Sequence, residues 1–417
     1  MTATVSLPQA IGPRPTTERT RILAGCALLL VFELAAFLFL AAGTHGLIVP
    51  LARPTTTDFV SFYAAGSLAD AGSPQLAYDQ AAHYAAEQQA TQPGIAYNYF
   101  FYPPVFLLLC ALLARLPYMA AFVLFEAATL VLYLAVATRI LGERSPGVLA
   151  ALLAFPSLLW TIGLGQNALL TAGLFGAATL LIDRRPVVAG LLFGALCYKP
   201  HLGLLVPIAL IAGRRWSALI AASFAVAALS LLSLTLFGPQ TWRAFLAAMS
   251  ASRGIYETGR VAFAGYVTPF GAAMLLGAAP ALAYALQAAA TLAAAAFVAS
   301  VWRRGLPLPV RAASLAAATL AAVPLALFYE LMLAGVAGLW LFRADRENRA
   351  ANWIKPGLAV LFILTLDPRG VAQAWHLAIG PLVVVALIAL VAVVALHRPD
   401  ASRRPRRALL PRPSPSG

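Results

Sequence analysis

Long apolar runs, separated by short loops that carry most of the arginines, occupy almost the whole chain. They fall at 22–43, 119–138, 146–163, 167–182, 217–237, 280–302, 308–324, 327–342, 353–366 and 377–397, and each is read as one helical membrane crossing. Two further runs need separate treatment. The run 103–116 is bounded by Tyr102-Pro103-Pro104 and Leu116-Pro117. At 1.5 Å per residue it is too short for a hydrocarbon core of ~30 Å, and it is expected to be re-entrant or interfacial. The run 186–213 has arginine pairs at both ends, so it is expected to go out and return, with its Lys199-Pro200 break at the outer face.

The arginines set the orientation. The positive-inside bias assigns Arg139/Arg144, Arg184/Arg185, Arg214/Arg215, Arg303/Arg304, Arg343/Arg346 and the tail arginines to the cytoplasm, together with the N-terminus. Only Arg53, Arg115, Arg243, Arg253, Arg260 and Arg369 then fall outside. The first run is longer than a signal-peptide core and lacks a cleavage site, so it is read as an uncleaved helix. The expected fold is an all-α polytopic membrane protein of about 12 crossings. Residues 1–21 form a cytoplasmic N-terminus, 22–397 the transmembrane domain with long outer loops 44–118 and 238–279, and 398–417 an Arg/Pro-rich cytoplasmic tail that cannot build a core.

Composition agrees and removes several classes. The chain is 61% hydrophobic and 11% charged, with a mean hydropathy of +0.83. Ordinary domains are roughly 45–50% apolar and about 25% charged, so a soluble globular protein is excluded. All but two of the 29 basic residues are arginines, and the net charge of +14 reflects topology. No aromatic-interleaved basic patch sits on a polar domain, so no nucleic-acid partner is expected. Cys26, Cys110 and Cys197 lie in apolar stretches without ligand-like spacing and are read as packing residues. No Walker A, Rossmann fingerprint, nucleophile elbow or His-Glu-x-x-His motif appears, which argues against an ATP-driven pump or a zinc protease.

A few polar residues remain as candidates for chemistry. Asp58, in Thr55-Thr56-Thr57-Asp58-Phe59, is the first acid after the first crossing. It either caps the helix that begins at Phe59 or takes a proton from an attacking hydroxyl, and the two roles are compatible. Asp70 and Asp79 read as turn or cap residues. Tyr97 and Tyr99 to Tyr102 are either an interfacial belt or a wall for a lipid chain or a sugar ring. Gln166 and Asn167 either cap the following helix or bind sugar hydroxyls. Lys199, at a helix break beside His201, either snorkels or grips a phosphate. Glu330 stands at a helix start, where the dipole favours an acid.

In order and spacing these pieces resemble glycosyltransferase family 87, of the GT-C type. The resemblance is carried by Asp58, Leu76-Ala77-Tyr78-Asp79, Tyr102-Pro103-Pro104, Gly165-Gln166-Asn167, Tyr198-Lys199-Pro200 and Arg214-Arg215-Trp216. It implies juxtamembrane helices in the first outer loop and an active site on the outer face of a bacterial inner membrane. It also implies a polyprenyl-phosphate sugar donor, mannose in the first instance, and a glycolipid or polysaccharide acceptor. On that resemblance Asp58 is the general base of an inverting single displacement, and Lys199 with His201 holds the donor phosphate. Tyr63, Tyr102, Gln166, Asn167, Tyr329 and Glu330 are the expected substrate contacts. Neither metal nor other cofactor is expected. Related sequences often show Tyr-Asp where this chain has Tyr329-Glu330, one methylene longer. The rival readings are a multispan transporter or flippase, which twelve crossings and a broken helix would suit, and a non-catalytic export subunit.

Overall fold

The computed structural model describes residues 15–42, 57–348 and 353–396. The expectations for the first residues of the chain, for Arg53 and for the tail lie outside them. Eighteen α-helices make up the described chain, and no strand occurs among the described residues. Helix α1 (Pro15–Ala42) precedes the segment expected on the outer side, which holds, where described, α2 (Phe59–Asp70), α3 (Gln80–Ala90) and the ten-residue α4 (Pro104–Leu113). There follow α5 (Tyr118–Leu141), α6 (Pro146–Leu153), α7 (Pro156–Leu164), α8 (Ala168–Leu181), α9 (Pro186–Ala195) and α10 (Val206–Ala212). The remainder is α11 (Trp216–Glu257), α12 (Pro269–Leu275), α13 (Pro280–Arg303), α14 (Leu308–Ala321), α15 (Leu331–Asn348), α16 (Ile354–Leu364), α17 (Pro368–Trp375) and α18 (Ile379–Leu396).

The described helices of spanning length and composition are fewer than the about 12 crossings expected. Four described helices, α5, α11, α13 and α18, are long and apolar enough to span a bilayer, and six spans result if the bent pairs α6–α7 and α16–α17 each count as one. The pairs bend by 58° and 67°. Each second helix opens with a proline at its first turn, where the missing N–H costs nothing but continuation from the preceding helix is blocked. The run 146–163 is therefore broken within its length, whereas the run 353–366 is α16 alone and the bend follows it. Helix α11 changes direction at Gly238 (φ 76°, ψ 164°) before Pro239, at the boundary where its apolar run ends. Its most apolar window, of hydropathy 2.2, is only 17% buried, which leaves that face to lipid.

The out-and-back path of 186–213 is present. Asp183, before α9, accepts from Arg215 Nη2 at 2.5 Å and from Arg311 Nη2 at 2.6 Å, so the ends of the segment meet on one side of the bundle. The break at 196–203 is two short 3-10 turns around Lys199. Central to the bundle is alanine-rich α14, buried from Pro309 through Ala321 and packed on α13, α15 and α18. Small side chains let these backbones approach.

The segment α2–α4 is held together by similar close approach. A Cβ on Gly66 of α2 would stand 2.1 Å from the Cys110 carbonyl oxygen of α4. Asp79 caps α3 through the Ala82 N–H at 2.9 Å, whereas Asp70 pairs with Arg115 at 2.9 Å. Gly66→Ala is expected to push α2 off α4 and cost about 1–3 kcal/mol, as overpacking does. Thermal unfolding of the purified protein in mild detergent checks this, and an unchanged midpoint would contradict the packing described.

Candidate active site

Asp58 occupies the N-cap position of α2, yet its side chain makes no capping hydrogen bond. Its backbone N–H donates to the Leu164 carbonyl at 2.7 Å, and its Oδ2 accepts from Gln166 Nε2 at 2.8 Å. Gln166 is in place because α7 ends on Gly165, whose left-handed conformation (φ 67°) turns the chain sharply. Tyr102 donates in turn to Gln166 Oε1 at 3.5 Å. Burial pushes the Asp58 carboxyl up from the ordinary range, while the Gln166 hydrogen bond and the charges of Arg369 and Lys199 pull it back. A carboxylate left uncapped, with raised proton affinity, suits the role of base.

Asp58 opens onto a cavity of about 340 Å³. One wall is the extended segment 97–102, with Tyr97, Asn98, Tyr99, Phe101 and Tyr102 on the lining, and Tyr99 stacks on Phe101 at 5.2 Å. The facing wall comes from Leu327 to Tyr329 and from 260–265. These two stretches are joined where Val267 N–H donates to the Ala326 carbonyl at 2.9 Å. Arg260 and Arg369 complete the lining, both exposed on the solvent side, and the Arg369 guanidinium lies 5.8 Å from the Phe328 ring centre.

Of the residues expected from sequence, Asp58, Tyr102, Gln166 and Tyr329 line this cavity. Tyr63 does not, because its hydroxyl donates to the Leu116 carbonyl at 2.8 Å and its ring packs on Tyr118. Asn167 is buried and absent from the lining, without capping α8. Lys199, His201 and Glu330 also stay off the lining. Lys199 forms a buried ion pair with Glu330, and its ammonium sits 5.7 Å from the Tyr102 ring and 5.6 Å from the Tyr329 ring. Its charge lowers the proton affinity of Asp58, but its ammonium donates to Glu330. Sequence reasoning missed Arg260 and Arg369. The signal available was their place among the few arginines on the outer side, and nothing local marked them as neighbours of Asp58.

A second cavity of about 610 Å³ lies between α5, α6, α15, α16 and α18. Its lining is mostly hydrocarbon, with Glu143, Ser145, Arg346 and Lys355 among its polar residues. Among the described residues no three or more His, Cys, Asp or Glu come together as a metal site would require.

The family model of glycosyltransferase family 87 matches residues 100–327, more than half of the chain. The chain belongs to glycosyltransferase family 87. No curated protein and no solved structure matches it. The match to family 87 makes the protein a membrane glycosyltransferase, and the transport and export-subunit readings give way to it. It runs from the aromatic wall at Phe100 through Gln166 and Lys199 to Leu327, and it leaves Asp58 and Arg369 outside the matched residues.

The buried pair gives a testable energetic statement. Lys199→Ala leaves the Glu330 carboxylate buried without its partner, which is expected to cost about 3–5 kcal/mol. Lys199→Met combined with Glu330→Leu removes both charges and is expected to cost far less. Denaturation of the two variants in detergent distinguishes them, and equal losses would show that the pair is not the source of the effect.

Proposed function

We propose that the protein transfers a sugar from a polyprenyl-phosphate-linked donor to a lipid or polysaccharide acceptor, by a single displacement with inversion, at the outer face of a bacterial inner membrane. Mannose is the sugar that the family resemblance suggests. In the step, the acceptor hydroxyl oxygen attacks the anomeric carbon as its proton passes to Asp58. The bond from that carbon to the phosphate oxygen breaks, and polyprenyl phosphate leaves with the electron pair. Inversion follows from attack opposite the leaving group.

The observation that carries this reading is the Asp58 carboxylate, held by Gln166 in a cavity that also receives two arginines. Asp58 supplies the base and Gln166 fixes its orientation. Arg260 and Arg369 take the phosphate-binding role that sequence had given to Lys199 and His201, because guanidinium forks match phosphate oxygens and stabilise the charge developing on them. Tyr99, Phe101, Tyr102 and Tyr329 offer faces to sugar rings and an edge that keeps water from the anomeric centre. The acceptor is then bound by the same aromatic walls and by Asn98.

The test is transfer of labelled sugar from polyprenyl-phosphate-mannose to membrane lipid acceptors by the purified protein. Asp58→Asn is expected to lower kcat by about 10²-fold or more, and Arg369→Ala to raise the donor KM by about 10-fold. Gln166→Leu removes a hydrogen bond that favours the ionised carboxylate, so the Asp58 pKa rises and the acidic limb of the pH–rate profile moves to higher pH. Undiminished transfer by Asp58→Asn would remove the assignment of the base. No transfer from any polyprenyl-phosphate sugar would remove the donor class.

A further inference from the structure

The wall at 97–102 has neither helical nor sheet hydrogen bonds of its own, so side chains hold it. Tyr84 donates to the Ile95 carbonyl at 2.7 Å, Ser61 Oγ to the Tyr99 carbonyl at 3.3 Å, and Tyr78 to the Tyr102 carbonyl at 2.9 Å. These bonds satisfy carbonyls. The backbone N–H of Asn98 is taken by Glu87, whose Oε1 and Oε2 accept it at 3.2 and 3.1 Å. One turn earlier on α3, His83 Nε2 meets the Ser61 carbonyl at 3.0 Å. A carbonyl only accepts, so Nε2 carries the proton and the bare Nδ1 faces Glu87 Oε1 at 3.7 Å. His83 and Glu87 are both at 0% exposure. Ser61 N–H donates to the Asp58 carbonyl at 3.1 Å.

We infer that the His83–Glu87 pair positions the site, tying the helix start that presents Asp58 to the wall residue Asn98 across the cavity. The chain of links runs from the Asp58 carbonyl to Ser61 and to His83, then along one turn of α3 to Glu87 and to the Asn98 amide. Both of its ends, Asp58 and Asn98, line the cavity, and so does Ser61. Neither His83 nor Glu87 lines the cavity itself.

The electrostatics fit a spacer that adds no charge. Burial pushes Glu87 up to about 8, with the Asn98 hydrogen bond opposing and the Asp58 charge adding to the shift. Burial pulls His83 down to about 4 against its bond to Ser61. Near neutral pH both are uncharged, so the pair adds no charge beside Asp58. The titratable groups facing the pair are Asp58 from the start of α2 and Tyr97 from the wall, whose phenol Glu87 would push up if it ionised. Glu87 binds a proton more tightly folded than unfolded, so its contribution to stability is full below about 4.5 and is lost as pH rises toward 8.

This inference rests on the glycosyltransferase reading only for its kinetic arm, and hydrogen exchange tests it without substrate. Full-length protein in detergent is compared as wild type, Glu87→Gln, Glu87→Asp and Glu87→Ala. Gln keeps an acceptor at the same reach and is expected to retain wild-type protection of 95–102 and transfer within about threefold. Asp, one methylene short, and Ala are expected to raise exchange across 95–102 and 58–63 about 10-fold. Both should lower kcat/KM for transfer about 10-fold or more, as misplacement of a wall by about 1 Å does. Between pH 6 and 9 the wild-type unfolding midpoint should fall more steeply than that of Glu87→Gln. Unchanged exchange in both Asp and Ala variants would overturn the proposal, as would a Gln variant as unprotected as Ala. If wild-type protein transfers no sugar, exchange still decides the positioning role, and only the assigned reaction fails.

Discussion

The site depends on one hydrogen bond between distant parts of the chain: Gln166 Nε2 donating to Asp58 Oδ2 at 2.8 Å. It joins the segment that follows α1 to the end of the bent pair α6–α7. With the Asp58 N–H on the Leu164 carbonyl, it fixes both the backbone and the carboxylate of the proposed base. A buried carboxylate needs such a partner, since unpaired burial would neutralise it by raising its proton affinity too far. The uncapped geometry is part of the same arrangement. An aspartate that capped α2 would have spent its oxygens on backbone N–H groups.

The breaks in the bundle are what bring groups to that carboxylate. Pro156 bends α6–α7 so that Leu164 and Gln166 arrive beneath Asp58, and Pro368 bends α16–α17 so that Arg369 lies on the cavity. The turns around Lys199 place an ammonium between two tyrosine rings, with Glu330 as its counter-ion. Straight spans would have sent these ends past one another. Positive charge thus reaches Asp58 from two directions, through solvent-side arginine and through a buried lysine that is already neutralised.

Much of this was legible residue by residue. The apolar runs gave an all-helical membrane chain, the short run at 103–116 became a ten-residue helix, and the arginine pairs around 186–213 marked an excursion whose ends meet. Asp58, Tyr102, Gln166 and Tyr329 were identified and lie together. The differences have physical causes. Hydropathy integrates over a window and does not register a bend, so the break before Pro156 inside the run 146–163 left no mark in it. Lys199 was read as a phosphate grip because a lone lysine at a break has no visible partner, and Glu330 lies 131 residues away. Tyr63 points to Leu116 because a helix face cannot be assigned before the helix is packed.

The sequence by itself determined which segments are apolar and helical, where prolines end them, and that a single acid stands at the start of α2. These are properties of neighbouring residues, set by backbone sterics and by transfer from water. Only the tertiary structure decided which polar groups meet: Gln166 with Asp58, Glu330 with Lys199, Glu87 with the Asn98 amide, and Arg260 with Arg369 on one cavity. Such meetings depend on the direction of helices after a bend and on the packing of segments far apart in the chain, and no local pattern encodes either.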